Sequence, residues 1–135
     1  MRIMLDTNTI VSGMVFQGYE RRLLHVIFGK GHTLVLSEYV FHETKRVLTH
    51  KFPGKESVLE AWLQLTKVER VPLPQAERVN EARSFIRDTK DSAILATVIY
   101  AAPDIFVTGD HDFFTPEIAA ITKVLTTKDA LFLLT

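Results

Sequence analysis

The sequence predicts an α/β sandwich built on a mainly parallel sheet. Short apolar runs bounded by polar turn residues alternate with longer segments of helical period, which is how strands and helices alternate in such folds. The short runs also lack clean polar alternation, as strands covered on both faces do. A third observation is positional: acids fall just beyond the ends of two of the short runs, on the edge where α/β sheets place their ligands.

The elements follow in order. Arg2–Leu5 reads as the first strand. Glu20–Phe28 is helical in period and stops at Gly29-Lys30-Gly31. Thr33–Leu36 is a second strand, after which Ser37 caps a helix over Glu38–His50. A helix over Lys55–Thr66 follows Pro53-Gly54, Val68–Val71 is a third strand, and Gln75–Ile86 is helical behind Pro74. The helix Lys90–Ala102 is halted by Pro103; it is apolar nearly all round, so it should be central and covered. Strands at Ile105–Thr108 and Lys123–Leu125, and a short helix over Lys128–Leu133, complete the chain.

The 135 residues fit one domain, 1–135, and 47% of them are apolar, enough for a core of that size. Sixteen basic residues balance sixteen acidic ones, so nucleic acid would have to meet a local basic surface rather than a strong overall field. With no cysteine, a disulfide scaffold, a thiolate zinc site and a Cys nucleophile are excluded together. No run approaches the ~20 apolar residues that span a bilayer. Asp6 stands where a signal peptide would still be apolar. A cytoplasmic protein with no membrane association is the expectation.

Asp6 directly follows the first strand, and Asp110 follows Ile105–Thr108 after one glycine, so two strands deliver carboxylates to the same rim. Gly109 would let the backbone turn sharply there. Glu43 lies three residues after Val40 and four before Val47, at the margin of a buried helix face. Asp91 sits in the first turn of Lys90–Ala102, which would aim it at an enclosed site. Like charges ~4 Å apart cost on the order of 4 kcal/mol at surface-like dielectric, so such a cluster needs protons or cations. Hard divalent ions with oxygen ligands meet that need.

Each acid alone also has an ordinary structural reading. Asp88 and Asp91 suit a helix N-terminus, Asp6 and Asn8 a turn after a strand, and Asp110 and Asp112 a polar turn beside Gly109. Glu43 equally suits the role of a solvated helix residue, or of a partner of Lys45, Arg46 or a lysine elsewhere in the chain. The five histidines show no metal-ligand spacing, and no phosphate-binding glycine loop, dinucleotide fingerprint or Gly-x-Ser-x-Gly elbow is present.

Taken together, four motifs resemble the PIN-domain family of nucleases over nearly the whole chain. They are Leu5-Asp6-Thr7-Asn8, Ser37-Glu38 with Glu43, Asp88-Thr89-Lys90-Asp91 with Leu95-Ala96, and Phe106-Val107-Thr108-Gly109-Asp110 with Asp112-Phe113. The closing Lys123-Val124-Leu125-Thr126 also fits the family's last strand. The resemblance implies a three-layer α/β/α sandwich with a mainly parallel central sheet, and Mg²⁺- or Mn²⁺-dependent hydrolysis of RNA phosphodiesters. It carries over Asp6, Glu43, Asp91 and Asp110 as metal-site acids and Asp112 as an accessory acid. Asn8 and Thr108 become hydrogen-bonding supports. It also implies a VapC-like toxin role, with a small antitoxin partner and a homodimer. The family often carries an acid or asparagine after Asp91, where this chain has Ser92.

Arg21, Arg22, Lys45, Arg46 and Lys51 are candidates for substrate phosphates. Two rival readings stand beside the ribonuclease. One is a catalytically idle RNA- or partner-binding domain. The other is a haloacid-dehalogenase-like phosphatase, which usually wants a second Asp where Asn8 stands.

Overall fold

Alternate side chains of three central strands divide between two apolar cores. In the computed structural model, which describes residues 1–135, Ile3, Leu5, Leu34, Leu36, Ile105 and Val107 point to one core. Met4, Val35 and Phe106 point to the other. A strand apolar on both faces shows no alternation in sequence, which is why these runs read as continuous.

The sheet comprises β1 (Arg2–Leu5), β2 (Thr33–Ser37), β3 (Lys67–Val71), β4 (Ile105–Val107) and β5 (Val124–Leu125), ordered β3-β2-β1-β4-β5. Every pairing is parallel. The first core is covered by α1 (Thr7–Val15), α2 (Tyr19–Gly29), α3 (Glu38–Lys51), α4 (Lys55–Leu65) and α8 (Thr127–Leu134). The second is covered by α5 (Ala76–Ala82), α6 (Thr89–Ala101), a 3₁₀ turn at His111–Phe113 and α7 (Pro116–Ala119). The protein is an α/β/α sandwich.

From β1 the chain steps outward to β2 and β3, then crosses back to β4 on the other side of β1. The direction reverses between β1 and β4, and the crevice beyond their C-terminal ends is the usual ligand position in open parallel sheets. Both strands end in the polar segments that carry Asp6 and Asp110.

Several expectations need correction. Residues 7–15 form α1, which the sequence does not announce. The expected helix Gln75–Ile86 ends at Ala82, where Ser84 donates its hydroxyl to the Glu81 carbonyl and the chain tightens into a turn. The strand β3 is covered only in part: it is a sheet edge, and its Glu69 and Arg70 reach the Arg2 and Glu38 side chains at 2.5 and 2.9 Å. Nor is α6 covered throughout, since its last turn leaves Ile99 and Tyr100 exposed.

Candidate metal centre

Asp6 ends β1 and caps α1. Its Oδ1 accepts the Thr9 N–H at 2.8 Å, the usual arrangement for an N-cap aspartate. Its Oδ2 accepts the Thr108 hydroxyl, and Thr108 Oγ1 in turn accepts the Asp110 N–H at 3.1 Å. Thr108 is fully buried and thus ties together the two loops that flank the point of strand reversal. Asp6 itself is only 8% exposed, and its charge is met by neutral donors rather than by a cation.

Asp110 opens the 3₁₀ turn, with its Oδ1 accepting the Asp112 N–H at 2.9 Å. The sharp turn that Gly109 would allow is not used, because the only glycines with positive φ are Gly31 and Gly54 and a Cβ on Gly109 would touch nothing. Asp91 stands in the first turn of α6, where Asp88 Oδ1 accepts its N–H at 3.1 Å. Carboxylate oxygens of Asp91, Asp110 and Asp112 all fall within 4.8 Å of one another. Burial, then the charges of Asp110, Asp88 and Asp112, push the Asp91 carboxyl up from 3.8 to about 6.

Glu43 approaches from α3, on the opposite face of the sheet. The Thr7 hydroxyl donates to its Oε1 at 2.6 Å. Its Oε2 forms an ion pair with Lys90 Nζ at 2.8 Å and lies 3.9 Å from Arg46, beyond hydrogen-bond reach. Burial alone would raise the Glu43 carboxyl; the contacts from Lys90 and Thr7 and the charge of Arg46 outweigh it and hold it low.

Asp6, Glu43, Asp91 and Asp110 line one cleft of about 630 Å³. Within it the acids are not equivalent. Asp6 and Glu43 stand outside the tight group, which Asp112 completes from the rim. Asn8 lines the cleft and is exposed, whereas Thr108 lies beneath it. Ser92 is fully buried, and its hydroxyl donates to the Ile86 and Asp88 carbonyls at 2.9 and 2.7 Å, so it braces the start of α6.

Among the candidate phosphate contacts, Arg46 and Lys51 line the cleft. The other three have different engagements. Arg21 donates to the Gly13 and Met14 carbonyls, both at 3.1 Å, at the end of α1. Arg22 lies 5.7 Å from the centre of the Tyr19 ring, and Lys45 pairs with Glu60 at 3.6 Å. Sequence reasoning overlooked Thr7, His50 and Lys90, which also line the cleft. One signal was available for Lys90: a cation in the first turn of a helix opposes the helix dipole and calls for a partner.

The donor set suits a hard divalent cation. It is all oxygen, the Asp91, Asp110 and Asp112 carboxylates form no ion pair, and Asp91 is disfavoured in its charged form. One imidazole and no thiolate in the cleft make a poor zinc site.

A family model described as PIN domain matches residues 2–112. No match was found among curated proteins. Among solved structures, VapBC2 from Rickettsia felis bound to a DNA fragment from its promoter is similar, with TM-score 0.68 and 20% identity over 93% of this chain and 98% of that one. FitAcB from Neisseria gonorrhoeae gives TM-score 0.66 and 22% identity, covering 93% of this chain and 98% of that one. VapC20 from Mycobacterium tuberculosis, a toxin that cleaves the sarcin–ricin loop, gives 0.58 and 20% over 90% of this chain and 98% of that one. At these identities the likeness is one of fold.

Proposed function

The chain belongs to the PIN domain family, and on that premise we propose that residues 1–135 act as one metal-dependent ribonuclease domain that hydrolyses RNA phosphodiester bonds. The observation that carries the reading is the meeting of Asp91, Asp110 and Asp112, within 4.8 Å of one another, beside a cleft that Asp6 and Glu43 also line. RNA as substrate is supported by the likeness to VapC20, which cleaves the sarcin–ricin loop. Control by a small antitoxin, as in a toxin–antitoxin pair, is supported by the likeness to VapC20, a toxin, and to VapBC2 and FitAcB.

Asp91, Asp110 and Asp112 would hold Mg²⁺ or Mn²⁺, with Asp6 and Glu43 completing the acidic surround. Bound there, the cation supplies Lewis acidity toward the phosphodiester and a positive charge against the clustered carboxylates. The remaining work belongs to the chain. Thr108 orients the Asp6 carboxylate and anchors the backbone of Asp110, which would preorganise the loops that carry both acids. Thr7 does the same for Glu43. Arg46 and Lys51 stand on the cleft wall, suited to a phosphate anion.

The test is cleavage of a labelled mixed RNA by the wild type and Asp6→Asn, in Mg²⁺, Mn²⁺ or EDTA. Cleavage by the wild type, lost in EDTA and reduced at least about a hundredfold in the variant, is the expected result. Undiminished cleavage by Asp6→Asn would sink the reading.

A further inference from the structure

The acids of the cleft divide by how their charge is met. Asp6 is satisfied by neutral donors, from the Thr9 amide and the Thr108 hydroxyl. The Asp91, Asp110 and Asp112 group has no ion pair at all. Glu43 alone is matched by a cation of the chain, with Lys90 Nζ at 2.8 Å from Oε2. That oxygen is buried, and of the two cations near it Lys90 is the closer, with Arg46 at 3.9 Å, so the ammonium is its principal partner. The lysine side chain borders solvent: it is 61% exposed, against 11% for Glu43. The contact also spans the cleft, since α3 and α6 lie on opposite faces of the sheet.

We infer that Lys90 is a tethered counter-ion that occupies Glu43 until a second divalent cation displaces it. The site therefore loads in two steps. The first ion goes to Asp91, Asp110 and Asp112, where no positive charge has to leave. Glu43 becomes a ligand only when the ammonium swings out to solvent, which its exposed position permits. Lys90 thereby weakens the second ion relative to the first, and acts as a positioning residue rather than a catalytic one. This rests on the metal-site reading above.

Mn²⁺ binding to the whole chain, counted by electron paramagnetic resonance of the free ion, tests the inference without any RNA. The wild type is expected to bind one Mn²⁺ more tightly than a second. Lys90→Met keeps the apolar stem and removes the charge; it should strengthen the second ion about tenfold and leave the first within about twofold. Lys90→Arg should restore the wild-type curve, and Glu43→Gln should remove the second ion while sparing the first. Superimposable curves for wild type and Lys90→Met would overturn the inference, as would loss of the first ion in Glu43→Gln. Normal two-step binding without RNA cleavage would leave it standing and remove the nuclease reading. A protein that binds no Mn²⁺ would remove both.

Discussion

At the scale of single residues, the site depends on side chains whose charges are met unequally. Asp91 is the clearest case, because its carboxyl is raised from 3.8 to about 6. A raised carboxyl favours the protonated form in the fold. Its contribution to stability is full below about pH 4 and disappears as pH rises through about 6. Binding a cation reverses the preference, since the ligand form is the carboxylate. Mg²⁺ should therefore raise the melting temperature more at pH 7.5 than at pH 5. In the absence of metal, Asp91→Asn should be more stable than wild type at pH 7.5, with the advantage fading at pH 5. Melting curves at the two pH values check both statements, and an equal Mg²⁺ effect at both would count against the assigned role of Asp91. Legibility was uneven at this scale. The acids stood out because each follows a strand or opens a helix, but the hydroxyls that orient them did not. A threonine in a sequence carries no mark of which carboxylate it will meet, and Thr7 reaches Glu43 across 36 residues.

The elements show where local pattern suffices and where packing overrides it. The helices α2, α3, α4, α6 and α8 were legible within a residue or two, because caps and apolar periodicity agreed. α1 was not. Its Thr7, Thr9, Ile10 and Val11 are β-branched and Gly13 is a poor helix former, so local propensity speaks against it. Two things compensate: the Asp6 cap, and burial of Ile10, Val11 and Met14 against the helices and sheet of the first core. Gly13 is required by the same packing, because a Cβ there would lie 2.4 Å from Leu24 Cδ1 and 2.9 Å from its Cγ. Alanine would gain up to about 1 kcal/mol in helix propensity, while overpacking costs about 1–3 kcal/mol. Leu24 is buried, and the Glu20 carbonyl oxygen 3.2 Å from the same Cβ belongs to the backbone, so the second effect prevails. Gly13→Ala should lower stability by about 1–2 kcal/mol in denaturant unfolding. A gain in stability would show that Leu24 has room to move.

For the whole molecule, the sheet order decides which acids meet. Placing β4 beside β1 brings Asp110 to Asp6, although 102 residues separate Asp6 from Thr108, whose hydroxyl joins the two loops. Asp91 opens α6 while Asp110 and Asp112 follow β4, so an ion held among them is a ligand of the folded state only. Such a ligand stabilises by mass action, about 2.7 kcal/mol at a hundred times its Kd. Mn²⁺ at that excess should raise the melting temperature by several degrees, and Asp110→Asn should abolish the shift. A variant that keeps the full shift would place the ion elsewhere.

The sequence by itself determined the layers and the candidate acids. Apolar runs without alternation require cover on both faces, and acids placed after strands or at helix starts carry that position wherever the strands go. The partners were decided only by the tertiary structure. Nothing local determines that β4 adds next to β1, that Lys90 crosses the cleft to Glu43, or that Arg21 is spent on the end of α1 while Arg46 and Lys51 stay in the cleft. Periodicity is a property of neighbouring residues, whereas strand order, ion pairing and the division of acids between neutral donors and cations arise from contacts between segments far apart in the chain.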